Sequence, residues 1–203
     1  MNKYKKIVSI AATAVMCVAP MSVYAQEAQT DVIEAVAEKK QDTESSSVPV
    51  LQKEGIEISE GTGYDLSKEP GAATVKALEQ GTIVISYKTT SENAIQSLLS
   101  VGNGTKGNQD RHFHLYITNA GGVGMELRNT DGEFKYTLDC PAAVRGSYKG
   151  GRVSNTVALK ADKENKQYKL FANGELIATL DQEAFKFISD ITGVDNVMLG
   201  GTM

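Results

Sequence analysis

The chain has 203 residues, of which 41% are hydrophobic, and carries a formal net charge of −4. An acidic balance with no long basic run beyond the N-terminus argues against nucleic acid as a partner. The length is sufficient for one domain with its own core, once terminal segments are set aside.

The first 25 residues have the pattern of a secretory signal peptide. A lysine-rich start is followed by an apolar run over residues 7–18, which is short for a bilayer span. Small residues lie three and one positions before a predicted cut after Ala25. Bulky Met16 precedes Cys17, so a lipid-attachment site is disfavoured; an uncleaved anchor is the alternative. We predict a secreted, extracellular protein without membrane insertion after cleavage, either released or held at the cell surface by a further C-terminal region.

Residues 26–47 are predicted to form a disordered linker. The segment is polar and acidic, ends in a serine-rich run, and has too few apolar residues for a core. From residue 48 the composition changes to short apolar runs between glycine, asparagine and aspartate clusters. The third segment, residues 48–203, is therefore predicted to be the folded domain.

Many short strands are predicted within this domain. They cover residues 56–58, 82–87, 96–101, 111–117, 123–128, 134–138, 154–161, 168–171, 176–178 and 196–199. One or two helical turns are predicted at 72–80, and a short amphipathic helix at 181–189 with Asp181 as its N-cap. Strands at this spacing predict an all-β sandwich or jelly roll. The chain stops within or just after a strand, so we expect its last strands, and further domains, to lie beyond Met203.

The hairpin predicted over residues 111–128 has one apolar and one polar face. Tyr116 and His114 alternate with apolar residues on the first strand, as Glu126 and Arg128 do on the second. We predict Tyr116 opposite Glu126 and His114 opposite Arg128. An arginine fork suits a carboxylate, a glutamate accepts hydrogen bonds, and a tyrosine offers a flat apolar surface, a combination that fits an acidic sugar. The alternative is a solvated sheet face without function.

Other chemistry is sparse, and we predict neither catalytic residues nor a metal or cofactor. His112 and His114 are two apart on one strand and could form half a metal site, but surface histidines are favoured. Acidic residues in turns could bind calcium, although no ordered ligand series is present; these are Asp131, Asp162 and Glu164. Cys140 is the sole cysteine after signal cleavage, so we predict a small buried apolar residue rather than a reactive thiol.

Five stretches carry a family resemblance. They are VLQKEGIEIS (50–59), GYDLS (63–67), QGTIV (80–84), LLSV (98–101) and LFANG (170–174). They resemble the N-terminal sialic-acid-binding lectin module, carbohydrate-binding module family 40, of secreted bacterial sialidases. Within that family the chain looks most like the module of an intramolecular trans-sialidase from a gut commensal. The resemblance covers residues 48–203 and implies a concanavalin-A-like jelly-roll β-sandwich.

The resemblance also implies roles for four residues. Arg128 would pair with the sialic acid carboxylate, and Glu126 would accept from the acetamide N–H or a ring hydroxyl. Tyr116 and Ile95 would pack against the acetyl group and the apolar side of the sugar; the alternative for Ile95 is a core residue. The family also uses a second arginine and an aromatic residue, at positions beyond Met203.

The function implied is that of a non-catalytic module. It would target a covalently linked sialidase domain to terminal sialic acid on host mucin-type glycoconjugates. The alternatives are a surface adhesin or structural sandwich without sugar affinity, and a fragment that is itself an exo-sialidase. Sialidase catalysis is expected to need an arginine triad, a Tyr–Glu pair and Ser-x-Asp-x-Gly-x-Thr-Trp boxes, whereas this chain has no tryptophan.

Overall fold

Two antiparallel sheets, each of six strands, form a β-sandwich in the computed structural model. The structure describes residues 12–17, 49–59, 62–89, 95–105, 107–108, 110–118, 121–140 and 154–201. The first sheet has the order β11-β10-β9-β4-β1-β2 and the second β3-β12-β5-β6-β7-β8. This confirms the predicted all-β sandwich.

The strand bounds follow the predicted strands closely over most of the domain. The first sheet contains β1 (Ala12–Cys17), β2 (Pro49–Ile56), β4 (Gly81–Tyr87), β9 (Asn155–Asp162), β10 (Gln167–Ala172) and β11 (Glu175–Asp181). The second sheet contains β3 (Tyr64–Asp65), β5 (Gln96–Gly102), β6 (Arg111–Ile117), β7 (Val123–Asn129), β8 (Phe134–Asp139) and β12 (Asn196–Leu199). The strand predicted at 56–58 is found earlier in the chain, as β2, which ends at Ile56. Ile58 follows the strand and is also buried.

Helical structure is limited to two short elements among the described residues. The α-helix α1 spans Ala72–Lys76, inside the predicted 72–80 region, and a 3-10 helix spans Ile188–Asp190. Neither is long and apolar enough to cross a bilayer, so the described part of the chain contains no candidate membrane-spanning helix.

The amphipathic helix predicted over residues 181–189 is wrong. Asp181 is the last residue of β11, and Phe187 has extended backbone angles. The hydroxyl of Tyr136 donates to the carbonyl of Ala184, and that of Tyr168 donates to the carbonyl of Lys186. Because core tyrosines bind these carbonyls, the segment forms a turn and an irregular stretch before the 3-10 helix begins at Ile188.

The core lies between the two sheets and is built from the side chains at alternate positions of the strands, which face inward. Ile83 and Ile85 of β4 and Phe113 of β6 are fully buried. The ring of Phe113 makes an edge contact with Phe187 at a centroid distance of 5.7 Å. Cys140 is buried at the edge of this core, which confirms its interpretation as a small apolar residue.

The apolar run of the predicted signal peptide contributes a strand to the first sheet. β1 lies between β2 and β4 and runs antiparallel to both. Its register places Ala14 opposite Ile85 and Met16 opposite Ile83. Signal cleavage stays a prediction, and the predicted linker over 26–47 lies outside the described residues.

The central hairpin is formed as predicted, but its register is shifted. Tyr116 lies opposite Gly124, His114 opposite Glu126, and His112 opposite Arg128. The predicted pairs Tyr116–Glu126 and His114–Arg128 are therefore wrong by two residues. At the end of β6 the Thr118 N–H donates to the Gly122 carbonyl at 2.8 Å. A two-residue shift preserves the faces, because side chains alternate with a period of two.

Candidate functional site

A polar platform covers the outer face of β6, β7 and β8. Strand register places its nine residues in three rows, Tyr116–Gly124–Asp139, His114–Glu126–Thr137 and His112–Arg128–Lys135. Neighbouring rows are about 6.7 Å apart, since each strand residue rises about 3.3–3.4 Å. The platform is thus built on paired strands, which fix the backbone positions of its side chains.

Glu126 is held at the centre of the platform by three cationic or polar neighbours. Its Oε1 lies 3.2 Å from His112 Nε2 and 3.4 Å from Arg128 Nη1, and its Oε2 lies 3.3 Å from Lys135 Nζ. Partial burial acts to raise the pKa of Glu126, but the hydrogen bond from Lys135 and the charges around it hold that pKa below its ordinary value. Glu126 is therefore an ionised, oriented hydrogen-bond acceptor.

The Arg128 guanidinium remains available to a further partner. Its side chain is 34% exposed, and its Nη2 lies 3.9 Å from Asp110 Oδ2 while its Nη1 lies 3.4 Å from Glu126 Oε1. Both distances exceed the 2.7–2.9 Å typical of charge-assisted hydrogen bonds. A ligand carboxylate can thus form closer contacts with Arg128 than either protein carboxylate does.

Tyr116 lies beside Gly124 on the neighbouring strand. Its hydroxyl donates to Asp139 Oδ1 at 3.2 Å, and its ring centroid is 5.1 Å from that of His114. Burial, followed by the charge and hydrogen bond of Asp139, raises the pKa of Tyr116, so the hydroxyl stays neutral. A Cβ on Gly124 would lie 3.0 Å from the Tyr116 ring and 2.2 Å from Asp139 Oδ1. The absence of a side chain at Gly124 therefore makes room for the ring.

Ile95 lies at the edge of the platform. It directly precedes β5, in which Ser97 is paired with Tyr116, so alternation places Ile95 on the same face as the platform. Its side chain is 63% exposed, which rules out a core position. All four predicted site residues are thus found on or beside one sheet face.

Comparison with protein-family models gives a match to the sialidase N-terminal domain over residues 33–203, most of the chain. The chain belongs to the family of sialidase N-terminal domains. This confirms the resemblance inferred from the sequence motifs.

Solved structures similar to this sialidase N-terminal domain include two described as the CBM40 of the Ruminococcus gnavus IT-sialidase. One, bound to α2,6 sialyllactose, is 99% identical with a TM-score of 0.71 and covers 76% of this chain and 82% of that one. The other, bound to α2,3 sialyllactose, is 97% identical with a TM-score of 0.69 and covers 76% and 81%.

A curated relative of this sialidase N-terminal domain is the anhydrosialidase of Macrobdella decora. It is 64% identical over 187 residues, which is 89% of this chain. The chain spans 24% of the length of that relative.

Histidines of the sialidase N-terminal domain do not form half a metal site. His112 pairs with Glu126, and burial lowers the pKa of His114 to about 4, so that ring is neutral near pH 7. His114 is half-buried on the outer face of β6, and its Nε2 is buried without a hydrogen-bond partner among the described atoms. Across the described ranges, no group of three His, Cys, Asp or Glu side chains could hold a metal ion.

Two of the three acidic residues considered for calcium have protein partners. Asp131 Oδ1 lies 2.9 Å from Arg111 Nη2. Burial acts to raise the pKa of Asp162, but hydrogen bonds from Asn165 and Lys160 bring it down to about 2. The carboxylates of Asp131 and Asp162 therefore have structural roles.

Sequence reasoning missed three residues that shape the platform of this sialidase N-terminal domain. Lys135 and Asp139, both on β8, contact Glu126 and Tyr116 respectively, and Gly124 makes room for the Tyr116 ring. The alternation of residues 134–139 already showed that Lys135 and Asp139 share a polar face. The alternation therefore placed Lys135 and Asp139 on a polar face, but the wrong hairpin register gave no reason to place Asp139 beside Tyr116.

We expect Gly124→Ala to weaken ligand binding while the domain stays folded. The new Cβ displaces the ring of Tyr116 and the carboxylate of Asp139, and loss of their hydrogen bond costs about 0.5–1.5 kcal/mol of folding stability. A loss of the same size in the free energy of binding corresponds to roughly two- to twelvefold in affinity. Asp139→Ala, which frees the Tyr116 hydroxyl, should have a similar effect. Calorimetric titration with sialyllactose, alongside thermal melts, tests this; unchanged affinity in both variants would show that the ring position is irrelevant.

Proposed function

We propose that this domain is a non-catalytic module that binds terminal sialic acid. The observation that supports it best is the open Arg128 guanidinium, one row away from the oriented Glu126 carboxylate and two rows from the Tyr116 ring. A carboxylate receptor, a hydrogen-bond acceptor and a flat apolar surface lie in a line. Sialic acid carries a carboxylate, an acetamide and hydroxyl groups on one ring, and so presents a matching partner for each.

The proposed orientation follows from the order of the rows. The sugar carboxylate binds Arg128, and the acetamide N–H or a ring hydroxyl donates to Glu126. Tyr116 and Ile95 pack against the acetyl group and the apolar side of the sugar. Rows one and three are about 13 Å apart, which accommodates a single sugar and its substituents. Sialyllactose bound to the 99% identical Ruminococcus gnavus module supports this class of ligand.

We further propose that the module accepts both α2,3 and α2,6 linkages. Three of the four proposed contact residues lie on the platform and Ile95 lies at its edge, and their chemistry matches groups of the terminal sugar alone. The similar Ruminococcus gnavus structures carry α2,3 sialyllactose in one case and α2,6 sialyllactose in another. The linkage and the next sugar would then point away from the sheet.

Titration calorimetry with 3′- and 6′-sialyllactose, with lactose as the control, tests this function. We expect saturable binding of both sialylated sugars and no heat of binding for lactose. If neither sialylated sugar binds the complete module, the alternative of an adhesin or structural sandwich without sugar affinity is favoured. If only one of them binds, the proposed acceptance of both linkages is wrong.

The parent protein is proposed to be an exported sialidase that this module directs to mucin-type glycans. The chain spans 24% of the Macrobdella decora anhydrosialidase, so a much longer parent is consistent with the family. We propose that its continuation encodes a sialidase catalytic domain, and that residues 1–25 serve as its export signal. Sequencing the gene downstream of Met203 tests the first point, and N-terminal sequencing of the exported protein tests the second.

This chain by itself should have no sialidase activity. It has no tryptophan and none of the sequence boxes that sialidase catalysis is expected to need, and on the platform the Glu126 carboxylate is engaged with His112, Arg128 and Lys135. We expect no turnover of a fluorogenic sialoside by the purified chain at concentrations at which binding is saturated. Turnover above the level of a heat-denatured control would contradict a purely binding role.

A further inference from the structure

The outer face of the first sheet carries an apolar row that is not part of the core. Strand register places Val84 on β4, Ala158 on β9, Phe171 on β10 and Leu176 on β11 side by side. The first three are half-buried and Leu176 is 52% exposed, and none of the four belongs to the core cluster between the sheets. Contiguous apolar side chains on the outside of a folded domain mark sites of ligand or partner binding.

A groove of about 180 Å³ lies over this row and is open to solvent. Val84, Ala158, Phe171 and Lys160 are among the residues that line it. Because neighbouring strands are about 4.8 Å apart, the backbones at Val84 and Phe171 are separated by about 9.6 Å. A groove of this size fits one sugar ring lying against the phenylalanine, since the carbon face of a sugar packs on an aromatic ring.

Two lysines lie opposite each other in the adjoining row of the same face. Lys160 on β9 is paired with Lys169 on β10, about 6.7 Å along the strands from the apolar row. Like charges directly opposite each other in a sheet are destabilising. Lys160 is compensated by Asp162, whose Oδ2 lies 3.1 Å from its Nζ. Lys169 is half-buried and forms no ion pair with any described residue, so its charge is uncompensated.

The two carboxylates in the following row already have partners. That row is formed by Asp162, Gln167 and Asp181. Besides contacting Lys160, Asp162 accepts hydrogen bonds from the backbone N–H and the side-chain amide of Asn165, at 3.1 and 3.0 Å. Asp181 accepts from Gln167 Nε2 at 2.6 Å. An anionic ligand group can therefore bind Lys169 without breaking an ion pair of the protein.

We propose that this groove is a second carbohydrate-binding site, for a sugar that carries a carboxylate or a sulfate group. The apolar face of the sugar packs on Phe171 between Val84 and Leu176, and its anionic group accepts a charge-assisted hydrogen bond from Lys169. The site lies on the sheet opposite the platform, so the two sites face away from each other. The proposal is independent of the platform, and either site can fail while the other stands.

Nuclear magnetic resonance of the ¹⁵N-labelled complete module tests the second site. The module carries Arg128→Ala, which silences the platform, and is titrated with 3′-sialyllactose, 6-sulfo-N-acetyllactosamine or lactose. We expect saturable amide shift changes over residues 82–84, 156–160 and 169–176 with an anionic sugar and none with lactose. The two anionic probes distinguish a carboxylate ligand from a sulfate ligand.

Three results of this titration would overturn the proposal. The first is unchanged shifts in these residues with both anionic sugars up to about 10 mM, tenfold above the Kd of a weak, 1 mM site. The second is an equal response to lactose, since Lys169 would then have no part in recognition. The third is a shift of the same residues with protein concentration alone, which would show that a second copy of the chain occupies the groove.

Variants in the same Arg128→Ala background test the two proposed contacts. Lys169→Ala should weaken binding of the anionic sugar by at least about tenfold, because a charge-assisted hydrogen bond is lost. Phe171→Ala should weaken it without unfolding the domain, because the ring is outside the core cluster. Lys163→Ala is the matched control, since Lys163 lies between β9 and β10 and pairs with Glu79 at 2.5 Å.

The control should bind like its parent, and the amide shifts of β7, residues 123–129 in the other sheet, report whether each variant is folded. Unchanged affinity of a folded Lys169→Ala variant would contradict the assigned anion contact. An equal loss for Lys163→Ala would contradict it as well, because it would show attraction by net charge rather than a defined site.

Discussion

Replacing Arg128 by alanine is expected to abolish measurable sialyllactose binding in the complete module while leaving the fold intact. Arg128 lies on the outer platform with 34% of its side chain exposed, so its removal opens no cavity in the core. Loss of a charge-assisted hydrogen-bond partner costs about 1.5–3 kcal/mol. This is roughly one to two decades in affinity, enough to bring a weak single-sugar interaction below detection.

Two further variants separate charge from geometry at this position. Arg128→Lys should rescue binding poorly, because an ammonium group cannot reproduce the planar guanidinium fork. Arg111→Ala is the matched control: Arg111 is the first residue of β6 in the same hairpin, but it alternates onto the other face and pairs with Asp131 at 2.9 Å. It should bind like the wild type. Near-wild-type affinity of Arg128→Ala, with unchanged thermal melts, would show that the platform is a solvated sheet face and not the binding site.

The largest effect on stability is expected for Phe113→Ala. Phe113 is fully buried on β6, inside the strand that carries Tyr116, and its ring contacts Phe187 edge to face at 5.7 Å. Deleting a buried phenylalanine side chain costs about 3–5 kcal/mol, which is a large part of the 5–15 kcal/mol that keeps a typical domain folded. The melting temperature should fall by roughly 6–20 °C for a domain of this size.

Denaturant unfolding followed by far-ultraviolet circular dichroism measures this change directly. Lys135→Ala, on the exposed face of the same sheet, serves as the control and should stay within about 0.5 kcal/mol of the wild type. A loss below about 1 kcal/mol for Phe113→Ala would mean that the two sheets do not pack through this ring. Sugar binding measured at low temperature should survive in the fraction that remains folded.

The faces of the strands could be read from the sequence, whereas their pairing could not. Alternation assigned Tyr116, Glu126 and Arg128 to one face, and the structure places them there. The register was wrong by two residues, since any even shift satisfies the same pattern. The register is fixed by hydrogen bonds between the end of β6 and the start of β7: the Thr118 N–H donates to the Gly122 carbonyl, and the Gly121 N–H donates to the Thr118 carbonyl. These bonds are invisible to a pattern of apolar and polar residues.

Long-range contacts also explain the failure at residues 181–189. The spacing of Phe185 and Ile188 is compatible with a helix, and nothing local excludes it. The helix is prevented by Tyr136 and Tyr168, whose hydroxyls donate hydrogen bonds to two backbone carbonyls of the segment. Tyr168 also stacks on Phe185 with a centroid distance of 4.9 Å. Tertiary hydrogen bonding and packing here override local helix propensity.

Because the proposed contact side chains are preformed on paired strands, the module should exchange rapidly between glycans. Tyr116 is already held by Asp139, and Glu126 by His112 and Lys135, so little ordering opposes association. A shallow platform that contacts one sugar makes few interactions with it, so we expect fast dissociation of the bound glycan. On a densely sialylated surface, rapid rebinding would then retain the protein near the glycans without immobilising it. Surface plasmon resonance at high and low sialoside density tests this; a slow, density-independent dissociation would contradict it.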